Sequence, residues 1–294
     1  MAMMKLPLVA ACLAILAAPA ASLADEISGP IPDASRVVSI GGSITEIIFD
    51  LGEEGRLVGR DTTSVFPEAA HKIPDVGYMR ALSPEGVLSI NPTAIIAVEG
   101  SGPREAIDVL KKASVPFVFV PENYTAASVS EKIRIVGKAL GVDDKARKLS
   151  AKVEQELEAA QAETKNVKIR KRVLFVLSAA GGKIMAAGTN TAADGIIGLA
   201  GAENVVTGYT GYKTMTEEAI LTARPDVILV MDGGGPRTTT DADLLANTAI
   251  AATPAGQSKT IVRMGGQYLL GFGPRTAKAV HDLAKSLYGN EVSQ

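Results

Sequence analysis

Tryptophan is absent from this 294-residue chain, histidine occurs twice, and cysteine once. Each scarcity closes off a class of chemistry. Transition-metal sites gather clustered His, Cys or carboxylate ligands, and His71 and His281 are too far apart in sequence to share one neighbourhood. His281 reads as a surface or half-buried helix residue and His71 as structural. The same two histidines are the only imidazole bases available to a nucleophilic enzyme, and no GxSxG elbow accompanies them. Gly41-Gly42-Ser43 follows a strand-like run, but neither GxGxxG nor GxxxxGK[ST] occurs, so these glycines make a tight turn and not a phosphate cradle. The lone Cys12 leaves no disulfide to form.

Charge of one sign is also missing. Thirty basic side chains face 32 acidic ones, a net of −2. This near balance argues against a nucleic-acid or anionic-membrane partner.

The N-terminus reads as an export signal. Lys5 follows the first methionines, residues 6–18 carry no charge, and Ser22-Leu23-Ala24 supplies the small residues before a cleavage point. The run is shorter than the roughly 20 residues needed to span a bilayer. Val9-Ala10-Ala11-Cys12 has the look of a lipoprotein box, but the apolar core before it is too short and an apolar tail follows it. With residues 1–24 removed, the expected mature chain carries no thiol.

What the chain does have is a repeat at half-chain spacing. Gly77-Tyr78-Met79-Arg80-Ala81-Leu82-Ser83-Pro84-Glu85 leads to Pro92 and the apolar run 93–98. Gly211-Tyr212-Lys213-Thr214-Met215-Thr216-Glu217-Glu218 leads to Pro225 and the run 226–231. Each segment has Gly-Tyr, a Ser or Thr cap with an acidic residue, a short helix, a proline and a strand. Glu85 and Glu218 each stand seven residues before their proline. Solenoid units run to roughly 20–50 residues, so this longer period predicts two similar α/β lobes facing each other across a cleft.

Strand-like runs at 36–40, 57–59, 94–98 and 117–120 alternate with helical stretches, including one opened by a capping box at Ser43-Ile44-Thr45-Glu46. The alternation implies parallel sheet. Residues 143–160 are helical in period with one apolar seam, and their place in the chain makes them the bridge between lobes. A second series begins at 172–177 and continues through 227–231 to a closing helix at 276–288. The expected fold is α/β, two Rossmann-like lobes joined by a single long α-helix. The lobes occupy 25–125 and 169–294, with 126–168 linking them and limiting hinge motion.

A tyrosine in a turn ordinarily packs its ring and bonds its hydroxyl to backbone. Tyr78 carries more weight because Arg80 lies two residues on and Tyr212 with Lys213 occupies the mirrored position. Two phenols and at least two cations at a cleft suit a flat, aromatic, anionic ligand.

Over essentially the whole mature length the chain resembles the haem-specific periplasmic binding proteins of bacterial ABC importers, relatives of the cobalamin- and siderophore-binding proteins. The resemblance rests on residues 36–46, the Val76-Gly77-Tyr78-Met79-Arg80-Ala81-Leu82-Ser83-Pro84-Glu85 segment, Ala192-Ala193-Asp194 and the 212–225 repeat. It implies a monomer in the periplasm that captures ferric haem and delivers it to an ABC permease dimer, catalysing nothing. By the same resemblance Tyr78 is the axial iron ligand, Arg237 contacts that phenolate from the second lobe, and Arg80 faces a propionate or the cleft rim. Some members add an axial His near 191–194. This chain has Gly188-Thr189-Asn190 there, which leaves five-coordinate iron with Tyr212 as an aromatic wall; a second ligand or a second haem at Tyr212 stays open. Glu85 and Glu218 match the positions that dock one lobe each onto the permease subunits. A siderophore or cobalamin ligand on the same scaffold, and a secreted α/β enzyme using the cleft, are the alternatives.

Overall fold

Alternating side chains give each sheet two buried faces, and those faces set the architecture of the computed structural model, which describes residues 29–232 and 239–292. In the first half, β1 (Val37–Ile40), β2 (Leu57–Arg60), β3 (Ala94–Val98) and β4 (Phe117–Val120) form a parallel sheet in the order β2-β1-β3-β4. Val38, Ile40, Ile95 and Ala97 point into a core belonging to this half, under the helix Arg104–Lys112. Val37, Ala94 and Ile96 point the other way, into a core shared with the rest of the chain. Near-continuous apolar runs such as Ala94-Ile95-Ile96-Ala97-Val98 are what a parallel strand buried on both faces requires.

The second half repeats the plan around β5 (Arg172–Ser178), β9 (Val227–Asp232) and β10 (Ile261–Gly265), with the short β7 (Glu203–Asn204) parallel to the start of β5. Leu174, Val176, Ile228 and Val230 enter a local core, while Val173, Phe175, Val227 and Leu229 enter the shared one. The lobes are not copies, however. An antiparallel pair, β6 (Met185–Ala187) and β8 (Tyr212–Thr214), is added beside β5. The purely parallel expectation therefore holds for the first sheet and fails at one edge of the second.

Between the sheets the expected long helix is present, preceded by a second one. Ala126–Leu140 opens on a reciprocal Thr125–Ser128 cap and stops at Gly141, whose left-handed backbone ends the helix. Asp143–Ala162 then carries the chain to β5. Its buried Ala146, Ser150, Val153, Leu157 and Ala160 recur at alternating spacings of four and three, one helical face. That face packs on Ala126–Leu140 and on the closing helix Thr276–Tyr288. His281 on the closing helix is half-buried and meets Glu163 at 2.8 Å, whereas His71 lies exposed in a short 3-10 turn.

The sheets meet through segments that leave the carboxyl ends of their strands. Here one sequence expectation fails. Ser43 to Glu46 form no capping box: the helix Gly42–Asp50 begins after Gly41 with no side-chain cap. Its entry is held from outside, where Asp61 accepts from the Gly41 amide at 2.9 Å and Thr63 Oγ1 from the Gly42 amide at 3.1 Å. Glu46, buried in mid-helix, is thereby free to reach across the junction. Its carboxylate accepts from the Arg275 amide at 3.0 Å and from the Arg275 guanidinium at 3.0 and 2.9 Å. Gln267 adds a second crossing, donating to Gly42 O at 3.0 Å and accepting from the Val65 amide at 3.0 Å. The Arg275 guanidinium also lies 3.5 Å over the Phe66 ring.

Removing one member of a buried ion pair leaves the other charge without compensation. Arg275→Ala is expected to destabilise the fold by ~3 kcal/mol, the lower end of the range for such losses, because Arg275 keeps some contact with water. Urea unfolding of the purified variant measures this directly; a midpoint equal to that of the parent would remove Glu46–Arg275 from the stability of the junction.

Candidate functional site

In open α/β sheets the carboxyl ends of the strands are where ligands bind. At that edge of the first sheet lies the segment 76–82. Gly77 has φ 103, a backbone region that a residue with a Cβ rarely enters, and it fixes the turn that carries Tyr78. The Gly77 amide donates to Asp75 Oδ1 at 2.7 Å, and its carbonyl accepts from Thr62 N at 3.0 Å. The Ala81 amide closes the next turn on Tyr78 O at 2.8 Å. Met79 packs inward, its carbonyl accepting from Gly102 N at 2.8 Å, so Tyr78 and Arg80 on either side are turned outward. Tyr78 remains 44% exposed on a well-anchored backbone. Tyrosine normally buries its ring, so an open phenol on a fixed turn is a surface prepared for contact.

Tyr212 is placed differently from its repeat partner. It opens β8 instead of sitting in a turn, and its ring stands edge-on to Phe175 at 6.3 Å. Burial foremost raises its pKa, the nearby Tyr124 adds to this, and Arg80 opposes it. The same Arg80 lowers the pKa of Tyr124 against burial, the largest effect there, and against Glu122. Arg80 of the first lobe thus acts electrostatically on Tyr212 of the second and on Tyr124.

Tyr124 was not singled out by the sequence. Its only local signal is the run Pro121-Glu122-Asn123-Tyr124 just ahead of the Thr125 cap, at a strand's carboxyl end. Its ring meets Phe272 edge-on at 5.4 Å. The helix Ala192–Leu199 approaches from the other lobe so closely that a Cβ on Gly195 would lie 2.4 Å from Tyr124 O.

Behind this segment Lys132 is completely buried. It pairs with Glu122 in a short contact, and donates to Ser43 Oγ at 3.3 Å and to Phe272 O at 3.1 Å. Burial lowers the Lys132 pKa and raises that of Glu122, while their mutual attraction opposes both shifts. One ammonium therefore ties together the first helix, the Tyr124 segment and the Phe272 segment.

Glu85 and Glu218 both lie exposed in first helical turns. Ser83 Oγ accepts from Gly86 N at 3.2 Å and donates to Glu85 at 2.8 Å; Thr216 Oγ1 accepts from Ala219 N at 3.2 Å. The residues before the two prolines, Asn91 and Arg224, are both left-handed, with φ 51 and φ 44. The repeat is thus a repeat of local structure. Arg237 lies outside the described residues. Among those described, no group of three or more His, Cys, Asp or Glu side chains could hold a bare metal ion. No described helix is long and apolar enough to cross a membrane.

Gly195→Ala is expected to cost ~1–3 kcal/mol, because the added methyl meets backbone and something must shift. Thermal denaturation checks it; an unchanged melting temperature would mean the two segments are looser than they stand here.

Comparison with known proteins agrees with this fold. The model of a family described as "Periplasmic binding protein" matches residues 37–268. Among solved structures, the periplasmic heme-binding protein BhuT, in complex with two hemes, is 40% identical with a TM-score of 0.80 over 86% of this chain and 97% of its own. Among curated relatives, the uncharacterized ABC transporter substrate-binding lipoprotein YvrC of Bacillus subtilis is 27% identical over 86% of this chain and 80% of its own length. The vitamin B12-binding protein of Yersinia pestis is 25% identical over 68% of this chain and 71% of its own length. The two sheets with parallel cores, the helical link and the match over most of the chain identify it as a member of the periplasmic binding protein family.

Proposed function

We propose that the chain captures ferric haem between its lobes and delivers it to an ABC permease, without catalysing a reaction. The observation that carries this reading is the open Tyr78 phenol on its anchored turn, two residues from Arg80. A phenolate is a hard anionic donor suited to ferric iron, and tyrosine ligation of haem iron has precedent in catalase. Free tyrosine titrates near pH ~10, so the metal's charge must favour the anion, with Arg237 as the supporting cation. In this proposal Arg80 faces a propionate. Tyr212, whose pKa burial raises, stays a neutral phenol and serves as a wall, not as a second ligand. The resemblance to BhuT at 40% identity supports haem over other cargo.

Residues 25–125 and 169–294 act as the two halves of the clamp, and 126–168 with the Glu46–Arg275 crossing restrict their separation. Glu85 and Glu218 serve as the two docking points on the permease. The family and the N-terminal segment support a periplasmic location, and the proposal takes the protein as a monomer. Cobalamin is the second reading, favoured by the vitamin B12-binding relative. It makes no use of an exposed phenol that can ligate iron.

Hemin added to the parent protein is expected to shift the Soret band and produce a high-spin charge-transfer band. Tyr78→Phe keeps the ring but removes the iron bond, so this band should disappear and affinity should fall. A Phe variant with the parent's spectrum would refute the axial assignment, and cobalamin binding without any hemin response would favour the second reading.

Docking is tested separately. Glu85→Lys with Glu218→Lys should leave hemin binding intact and abolish stimulated ATPase activity and haem transfer with the cognate permease. Single reversals should be milder and salt-sensitive, since rim charges chiefly steer association. Full transfer by the double variant at low salt would return both glutamates to plain helix capping.

A further inference from the structure

The segment 61–65, to which the haem reading gives no role, stands between the Tyr78 turn and the second lobe. Its centre is Asp61, which is completely buried. Burying a charge is costly unless hydrogen bonds replace its water, and here four neutral donors do so. Oδ1 accepts from the Gly41 amide at 2.9 Å and from Ser64 Oγ at 2.8 Å. Oδ2 accepts from the Thr63 amide at 2.9 Å and from Thr63 Oγ1 at 2.7 Å. One carboxylate thereby fixes the loop to the entry of the helix Gly42–Asp50.

The fixed loop brackets Tyr78. The Thr62 amide donates to Gly77 O at 3.0 Å, just before the tyrosine, and Thr63 Oγ1 lies 3.9 Å from Met79 Sδ, just after it. Buried Arg60 braces the same turn by donating to Asp75 Oδ2 at 3.2 Å, while Asp75 Oδ1 holds the Gly77 amide. At its other end the loop is gripped by the second lobe. The Val65 amide is shared between Thr63 O and Gln267 Oε1, each at 3.0 Å, and Gln267 Nε2 donates to Gly42 O at 3.0 Å. Val65 offers a donor and Gly42 an acceptor, which fixes the way the Gln267 amide faces. Gln267 itself sits on the short helix Gly266–Leu270, directly after β10.

We propose that Gln267 is a positioning residue for the axial ligand, holding the Tyr78 turn from the second lobe through segment 62–65. The proposal rests on the haem reading above and deepens it. Tyr78 makes the iron bond, and the geometry of that bond depends on a side chain 189 positions away that touches neither the phenol nor its turn directly. Groups that orient a metal ligand commonly change metal affinity by roughly 10–100-fold when lost. Gln267 acts one step further out, so the lower end of that range applies.

The test uses Gln267→Leu, which removes both hydrogen bonds, and Gln267→Glu, which keeps an acceptor for the Val65 amide. Each is compared with the parent on hemin and on metal-free protoporphyrin IX, which offers Tyr78 no iron. Gln267→Leu is expected to speed hemin dissociation roughly tenfold and to shift the charge-transfer band, with protoporphyrin affinity unchanged. Gln267→Glu should lie closer to the parent in both hemin readouts. An unchanged dissociation rate and band in Gln267→Leu would overturn the proposal. So would an equal loss for hemin and protoporphyrin, since a residue that only packs or touches the porphyrin weakens both. A Glu variant as impaired as the Leu variant would overturn it too, because the Val65 contact would then count for nothing. A parent that gives no Soret shift with hemin would instead remove the haem reading itself, and this proposal with it.

Discussion

A single buried ammonium organises the junction on which the rest of the molecule depends. Lys132 has no contact with water, so its charge must be matched inside the protein. The match comes from Glu122, with Ser43 Oγ and the Phe272 carbonyl completing its donors. These three partners belong to the entry of the first helix, the segment after β4, and the stretch that follows β10. Buried ion pairs add little net stability, but their geometry is unforgiving once formed. The Glu46–Arg275 crossing repeats the arrangement a short distance along the same helix.

That junction opposes separation of the two sheets. Val37 and Ile96 of the first sheet share one apolar core with Phe175 and Leu229 of the second, through the linking helices. Hinge opening would have to expose this core and strand charges that have no other partners.

The repeat that dominates the sequence proves to be partly structural and partly divergent. Its cap, helix, left-handed residue and strand recur in both lobes, so Glu85 and Glu218 are presented in equivalent ways. Its tyrosines do not recur. Tyr78 projects from a turn, while Tyr212 was drawn into an added antiparallel edge against Phe175. One lobe keeps an open phenol and the other a half-buried one. In the proposed haem site that asymmetry separates the metal ligand, Tyr78, from the aromatic wall, Tyr212.

Strands β1 to β5 and β9, the long linking helix and the glutamate caps were legible in the sequence because apolar period, capping chemistry and proline position act over a few residues. So was the turn that carries Tyr78, set by Gly77 and Asp75 beside it. Ser43-Ile44-Thr45-Glu46 misled for the same reason: it satisfies a local capping rule, yet Glu46 finds its partner 229 residues away in Arg275. Nothing local in the sequence marks Lys132 or Tyr124. Their roles depend on Phe272, Gly195 and Glu122, brought together by the packing of two lobes. Local pattern decides which residues can form an element; only the tertiary structure decides which charges lose water together, and therefore which must pair.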